Sequence, residues 1–253
     1  MPILYLRGLT GKIRSAEADV HLGLSLAFIA GAMNAGGFLA VHQYTSHMTG
    51  IVSSMADGLA LGDFAIALAG LSAMVCFMVG AACSAMMINW GRSHQLQSEY
   101  ALPLLFEALL MLCFGALNDN LYQHMKLFFA VMLLCFLMGL QNAIITKISK
   151  AVIRTTHVTG IVTDIGIELG KLFYWNRNID REDEAYVSAN RGKMLLLSKL
   201  LAMFFLGGVG GAYGFKAIGF FATVPLALFL LLLAIMPVID DLRLYFKSGS
   251  KPH

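Results

Sequence analysis

This chain has little charge, little proline and almost no tryptophan. Charged residues make up 13% of its 253 positions, with 5 prolines and 2 tryptophans. A soluble domain of this size carries about 25% charged residues, so too little polar residue is present here to cover a water-facing surface. The four cysteines (Cys76, Cys83, Cys113 and Cys135) stand in apolar runs without CxxC spacing. That excludes a zinc or disulfide framework and leaves them as small packing residues. There is no HExxH, no acidic metal cluster, no phosphate-binding glycine loop and no Ser or Cys nucleophile with a convincing base, so no metal or cofactor is expected. The net charge of +3 is too weak and too scattered for a nucleic-acid partner. Residues 1–20 lack the apolar core of a signal peptide and hold Arg7, Lys12, Arg14, Glu17 and Asp19, which suits a short interfacial helix.

What is present is apolar length. Hydrophobic residues reach 58% and the mean hydropathy is +0.73. Runs at 21–41, 64–90, 100–117, 126–148, 193–214 and 217–238 are each near or above the roughly 18–20 residues that cross a bilayer as a helix. The fold class is therefore all-α, a polytopic membrane protein whose immediate partner is lipid.

One stretch is written twice. Thr45-Ser46-His47-Met48-Thr49-Gly50-Ile51-Val52 returns as Thr155-Thr156-His157-Val158-Thr159-Gly160-Ile161-Val162, and Gly31-Ala32-Met33-Asn34-Ala35 is echoed by Gly139-Leu140-Gln141-Asn142-Ala143. Such duplication divides the chain into two repeats, 21–117 and 126–238, flanked by an N-terminal segment 1–20 and a tail 239–253. Phe77-Met78-Val79-Gly80 parallels Phe205-Leu206-Gly207-Gly208, with small residues following, as at close helix contacts. A polar insertion at 175–191 is the expected aqueous loop.

Basic residues bear on topology. With a cytoplasmic N-terminus, if the motif helices, about 45–61 and 155–173, cross the membrane as well, then Arg92, Lys147, Lys150, Arg154 and Lys216 fall outside. If they enter and leave on one side, only Lys126 and Lys216 do. The positive-inside bias favours the second arrangement: six spanning helices, two re-entrant helices, inverted repeats and both termini in the cytoplasm.

The motif helices carry polar residues on more than one face and cannot face lipid. Thr45 or Ser46, and Thr155 or Thr156, suit the N-cap, and a helix start suits an anion. Gly50 and Gly160 would allow close approach by a ligand or a neighbouring helix. The candidate binding residues are His47, Thr49, Gly50, His157, Thr159 and Gly160, supported by Asn34, Gln141 and Asn142. Asp164 and Glu168 are the candidates for proton coupling, since burial raises a carboxyl pKa. Glu107 and Lys199 are further ionisable residues inside apolar runs.

The paired motifs, Gly31-x-x-Asn34-Ala35 with Thr45-x-x-x-Thr49-Gly50 and Gly139-Leu140-Gln141-Asn142-Ala143 with Thr155-Thr156-x-Val158-Thr159-Gly160, resemble the bacterial YoaK family of membrane proteins, also called DUF1275. The resemblance covers about 21–238 and implies a protein of the bacterial cytoplasmic (inner) membrane. Two positions depart from the family pattern, Asn34 where Asp is common and Ile51 where Asn is common. Both remove polar character from the first repeat. The leading expectation is a small secondary transporter or permease for a small polar or anionic solute, and not an enzyme. Two alternatives stand beside it: an intramembrane enzyme acting on a lipid-linked substrate, and a structural or regulatory membrane subunit. A homodimer through the glycine-rich 207–214 segment is compatible with either.

Overall fold

The computed structural model describes all residues except 1, 13, 42–43, 116–122, 150–152, 177–182, 184–185 and 250–253. Much of the polar insertion, along with Lys150, lies outside the described residues. The described residues form nine α-helices and no strand: α1 (Pro2–Thr10), α2 (Ala16–Val41), α3 (Met48–Leu61), α4 (Phe64–Ser93), α5 (Ala101–Gly115), α6 (Gln123–Ile148), α7 (Val158–Phe173), α8 (Arg191–Ile218) and α9 (Thr223–Gly249), with a 3-10 turn at Gly219–Ala222 before α9. Among the described residues, four stretches are long and apolar enough to cross a membrane: Ala16–Leu39, Phe64–Ser93, Leu127–Ile148 and Arg191–Phe246. The last holds both α8 and α9. The run at 100–117 gives α5, a described helix of only 15 residues.

Glycines set the main contacts. α2 packs on α8 and α6 packs on α4, the two most extensive helix pairs. A Cβ on Gly31 would fall against the Phe204 carbonyl, and one on Gly207 against that of Phe28. The same reciprocal contact recurs between α6 and α4, where Gly139 meets the Phe77 carbonyl and Gly80 that of Phe136. Backbones approach this closely only where no side chain intervenes. The echo of Phe77–Gly80 is therefore Phe204–Gly207, one residue earlier than the sequence comparison suggests. The doublet Gly207-Gly208 makes that register ambiguous in the sequence. The same contacts turn Gly207 and Gly211 toward α2 of their own chain.

Contacts fix the directions. α2 and α8 are parallel, with Phe28 beside Gly207, Ala32 beside Gly211 and Gly36 beside Phe215. α4 and α6 are parallel, and Lys147 Nζ donates to the Ala85 carbonyl and the Asn89 side chain. α6 is antiparallel to α2, placing Ile145 and Ile153 beside Gly23. α5 and α9 are antiparallel. Asp241 accepts from both Gln97 N–H and Ser98 N–H at the start of α5, and Thr223 Oγ1 donates to the Met111 carbonyl near its end. Six helix ends therefore gather at one end of the bundle, called the base here: the starts of α2, α5 and α8 and the ends of α4, α6 and α9.

The N-terminal helix is docked at this base. Arg7 pairs with Asp240 at 2.6 Å, and Lys12 Nζ donates to Gln95 Oε1 at 2.6 Å. The Arg14 guanidinium lies 4.1 Å above the Tyr100 ring. Pro237 lacks an N–H, so the carbonyl four residues earlier in α9, that of Leu233, loses its helical donor. The Thr10 hydroxyl, fully buried, donates to that carbonyl at 2.8 Å. Part of the segment 239–253, expected as a tail, is a continuation of α9 that carries the anchoring carboxylates.

α3 and α7 are shorter and lie on α4 and α8. α3 is joined to α4 by a two-residue turn. Gly62 has φ +77°, where glycine is favoured, and Asp63 accepts from the N–H groups of Ala65 and Ile66. Met55 packs against Gly70 and Gly58 against Ile66, so the two helices run antiparallel. α7 runs antiparallel to α8 in the same way, with Asp164 beside Lys193 and Glu168 beside Asn190. α3 therefore leads from mid-bundle to the end opposite the base, and α7 from mid-bundle to the base.

Candidate functional site

The two motif helices start alike. His47 and His157 occupy the N-cap positions, with φ −89°, ψ 68° and φ −85°, ψ 59°, and neither helix has a side-chain capping bond. This corrects the expectation that Thr45 or Ser46, and Thr155 or Thr156, cap these helices. The first-turn N–H groups are consequently left for another acceptor. Each histidine ring folds back over the first turn of its own helix. A Cβ on Gly50 would collide with the His47 ring, and one on Gly160 with the His157 ring. Gly50 and Gly160 thus make room for the cap histidine.

The residues before each cap are held from the first helix of the same half. Ser46 N–H and Oγ both donate to Asn34 Oδ1, at 3.2 and 2.9 Å. Thr156 Oγ1 donates to Asn142 Oδ1 at 2.6 Å, while Asn142 Nδ2 donates to the Met138 carbonyl. Asn34 offers only its oxygen to these contacts, so a carboxylate would serve equally there. Thr45 and Thr155 are fully buried with unpartnered hydroxyls.

Both starts open on one cavity of about 520 Å³. Its lining comes in matched pairs: Asn34 with Asn142, Ser46 with Thr156, His47 with His157, Met48 with Val158, Thr49 with Thr159, and Phe77 with Phe204. Tyr44 completes it. Phe77 and Phe204 are each the fourteenth residue of their helices, so the cavity sits midway along α4 and α8. Six of the expected residues meet here (His47, Thr49, His157, Thr159, Asn34 and Asn142). Gln141 is buried on α6 away from the cavity, and Gly50 and Gly160 stand behind the histidines. No described Asp or Glu lines it. Arg154 Nη1 lies 3.4 Å from His157 Nδ1, at the position held by Tyr44 in the first copy. Sequence reasoning missed Phe77, Phe204 and Tyr44. The Phe77 echo carried the signal, but as packing.

Asp164 and Glu168 lie apart from this cavity. Asp164 pairs with Lys193 at 3.1 Å and is partly exposed. Glu168 is buried, accepts the Asn190 N–H at 2.7 Å and pairs with Lys171 at 3.0 Å. The Asn190 N–H, followed by Lys171, holds this carboxyl below the usual range. The expectation that burial raises it is reversed, because burial here comes with hydrogen-bond donors. Its visible role is to pin the start of α8, where the Asn190 side chain caps Lys193 N–H.

These features define a helical membrane protein in which two polar half-length helices begin around a shared central cavity. A family model described as "Protein of unknown function (DUF1275)" matches residues 22–236, and the chain belongs to that family. No curated protein and no solved structure matches it.

Proposed function

We propose that the chain is a small permease or secondary transporter of a small polar or anionic solute, with the shared cavity as its central site. The observation that carries the reading is the meeting of two uncapped helix starts, from opposite directions, midway along α4 and α8. Free first-turn N–H groups and partial positive charge favour an anion or a carboxyl group. The hydroxyls of Ser46, Thr49, Thr156 and Thr159 add donors and acceptors. The lack of a lining carboxylate among the described residues fits an anion, and it leaves His47 and His157 without an acid partner for catalysis.

The corresponding topology has α2, α4, α5, α6, α8 and α9 crossing the membrane and α3 and α7 re-entering from opposite sides, as two inverted repeats. Length alone does not separate α3 from α5, since at about 1.5 Å per residue both described helices are some 21–23 Å long against a core about 30 Å thick; what supports re-entry of α3 and α7 is that each starts midway along its neighbour at the shared cavity. Arg7, Lys12, Arg14, Arg92, Lys147, Arg191, Lys193 and Arg243 cluster toward the base, against Lys126 and Lys216 toward the other end. The base is therefore cytoplasmic, with both termini, in an inner membrane.

The test is ligand stabilisation of the purified protein across a panel of small anions and polar metabolites, followed by flux into proteoliposomes. A solute at one hundred times its Kd raises stability by about 2.7 kcal/mol. That gain and the flux are expected to vanish in Thr49→Val/Thr159→Val and in His47→Ala/His157→Ala, with the fold retained. A solute carried equally well by all these variants sinks the reading.

A further inference from the structure

Glu107 lies in the apolar core on α5 and is used by nothing described so far. It is fully buried, and both its carboxyl oxygens lack a hydrogen-bond partner. Gln141 of α6 faces it, also fully buried, with both amide atoms unpartnered. The two side chains are close enough to interact but do not close a hydrogen bond. The helices packed against α5 are α4, α6 and α9. Among their described charged groups, Arg92 is bound to Tyr100 and Glu99, Lys147 to Asn89, Asp240 to Arg7, and Asp241 to Ser98. Arg243 and Tyr245 lie toward the base end of α9. His124 and Lys126 belong to the first turn of α6, at the end away from the base, and Lys247 to the last turn of α9. The remaining titratable groups are thiols: Cys76 turned to Met132, Cys83 on α4, and Cys135 buried among apolar side chains. No described cation is placed to neutralise Glu107.

An unpaired buried carboxylate is far costlier than a neutral acid. A neutral acid also matches Gln141 chemically: its O–H is a donor for the amide oxygen, and its carbonyl an acceptor for the amide N–H. The architecture does not require this polar pair. The residue matching Gln141 in the first half is Met33, and α9 turns Ala227, Leu230, Leu233 and Ala234 to its core. A polar pair kept where the other half is apolar points to function.

We propose that Glu107 is a proton-binding site, loaded as the neutral acid against Gln141 and released as carboxylate plus a proton during the working cycle. Gln141 adjoins Asn142, whose Oδ1 holds Thr156 at the cavity rim. A change in the Glu107–Gln141 pairing therefore reaches the cavity through α6. This coupling rests on the transport reading; the proton site does not. Glu107 replaces Asp164 and Glu168 in this role.

Infrared titration of the purified full-length protein tests it without any solute. Wild type is expected to show the carbonyl band of one neutral carboxylic acid per chain at neutral pH. The band should disappear reversibly on alkaline titration, be absent from Glu107→Gln and Glu107→Leu, and shift in frequency in Gln141→Leu. Identical wild-type and Glu107→Gln spectra would mean that Glu107 is ionised, and the proposal fails. A band that persists until the protein unfolds in alkali marks a fixed structural proton, and the proposal fails as well. If no solute is ever found but the band titrates, only the transport reading is lost.

Discussion

Adding one methyl group at Gly139 should pry two helices apart. A Cβ there is directed at the main-chain carbonyl of Phe77, which no rotamer change can move. A comfortable carbon–oxygen contact then requires α6 and α4 to part by about 1 Å or more, with loss of dispersion contacts along the crossing. Overpacking of this kind costs about 3 kcal/mol, offset by about 1 kcal/mol from the better helix propensity of alanine, leaving about 2 kcal/mol of net destabilisation. Gly170→Ala is the control, since a Cβ at that position of α7 meets nothing within 4 Å. It should be neutral or stabilising by up to about 1 kcal/mol. Equilibrium unfolding in mixed detergent, followed by circular dichroism, measures both. Equal stability of Gly139→Ala and wild type, or an equal loss in Gly170→Ala, would refute the close-approach argument. Gly31→Ala should behave as Gly139→Ala does, because Gly31 makes the same contact with Phe204.

Two further outcomes are expected at the base. Asp241→Ala removes the acceptor of three hydrogen bonds from Gln97 and Ser98 and should cost about 3 kcal/mol, read as a lower melting temperature with freer proteolysis at 94–100. Glu168→Gln should flatten the acid limb of stability. The folded carboxyl titrates below its unfolded value, so its contribution is present above the unfolded pKa and fades as pH falls through the lower folded one. Melting temperatures of wild type and variant that fall in parallel through that acid range would refute this.

How far the sequence could be read depended on whether the information was duplicated or local. The cavity residues were legible because the motif is written twice, and matched polar positions in apolar surroundings are hard to explain by packing alone. Asn34 and Asn142 were legible as partners for the same reason. Gly50 and Gly160 were not, because periodicity does not reveal that a cap histidine will fold onto its own helix. The sign of the Glu168 shift was hidden because its strongest donor, Asn190 N–H, comes from across the polar insertion. Glu107 was visible as an anomaly, but its facing partner on α6 depends on tertiary packing.

The crossed pairing of helices also governs how the chain can be made. α2 closes on α8 and α4 on α6, so neither half completes its core from its own helices. During synthesis α2 leaves the ribosome long before its partner and must wait, with its polar Asn34 and close-packing glycines facing lipid or a chaperone, until residues beyond 211 emerge. Contacts so distant in sequence form late and expose unfinished surfaces meanwhile. Cut within the polar insertion, the two fragments should fail separately and assemble only when inserted into the same membrane.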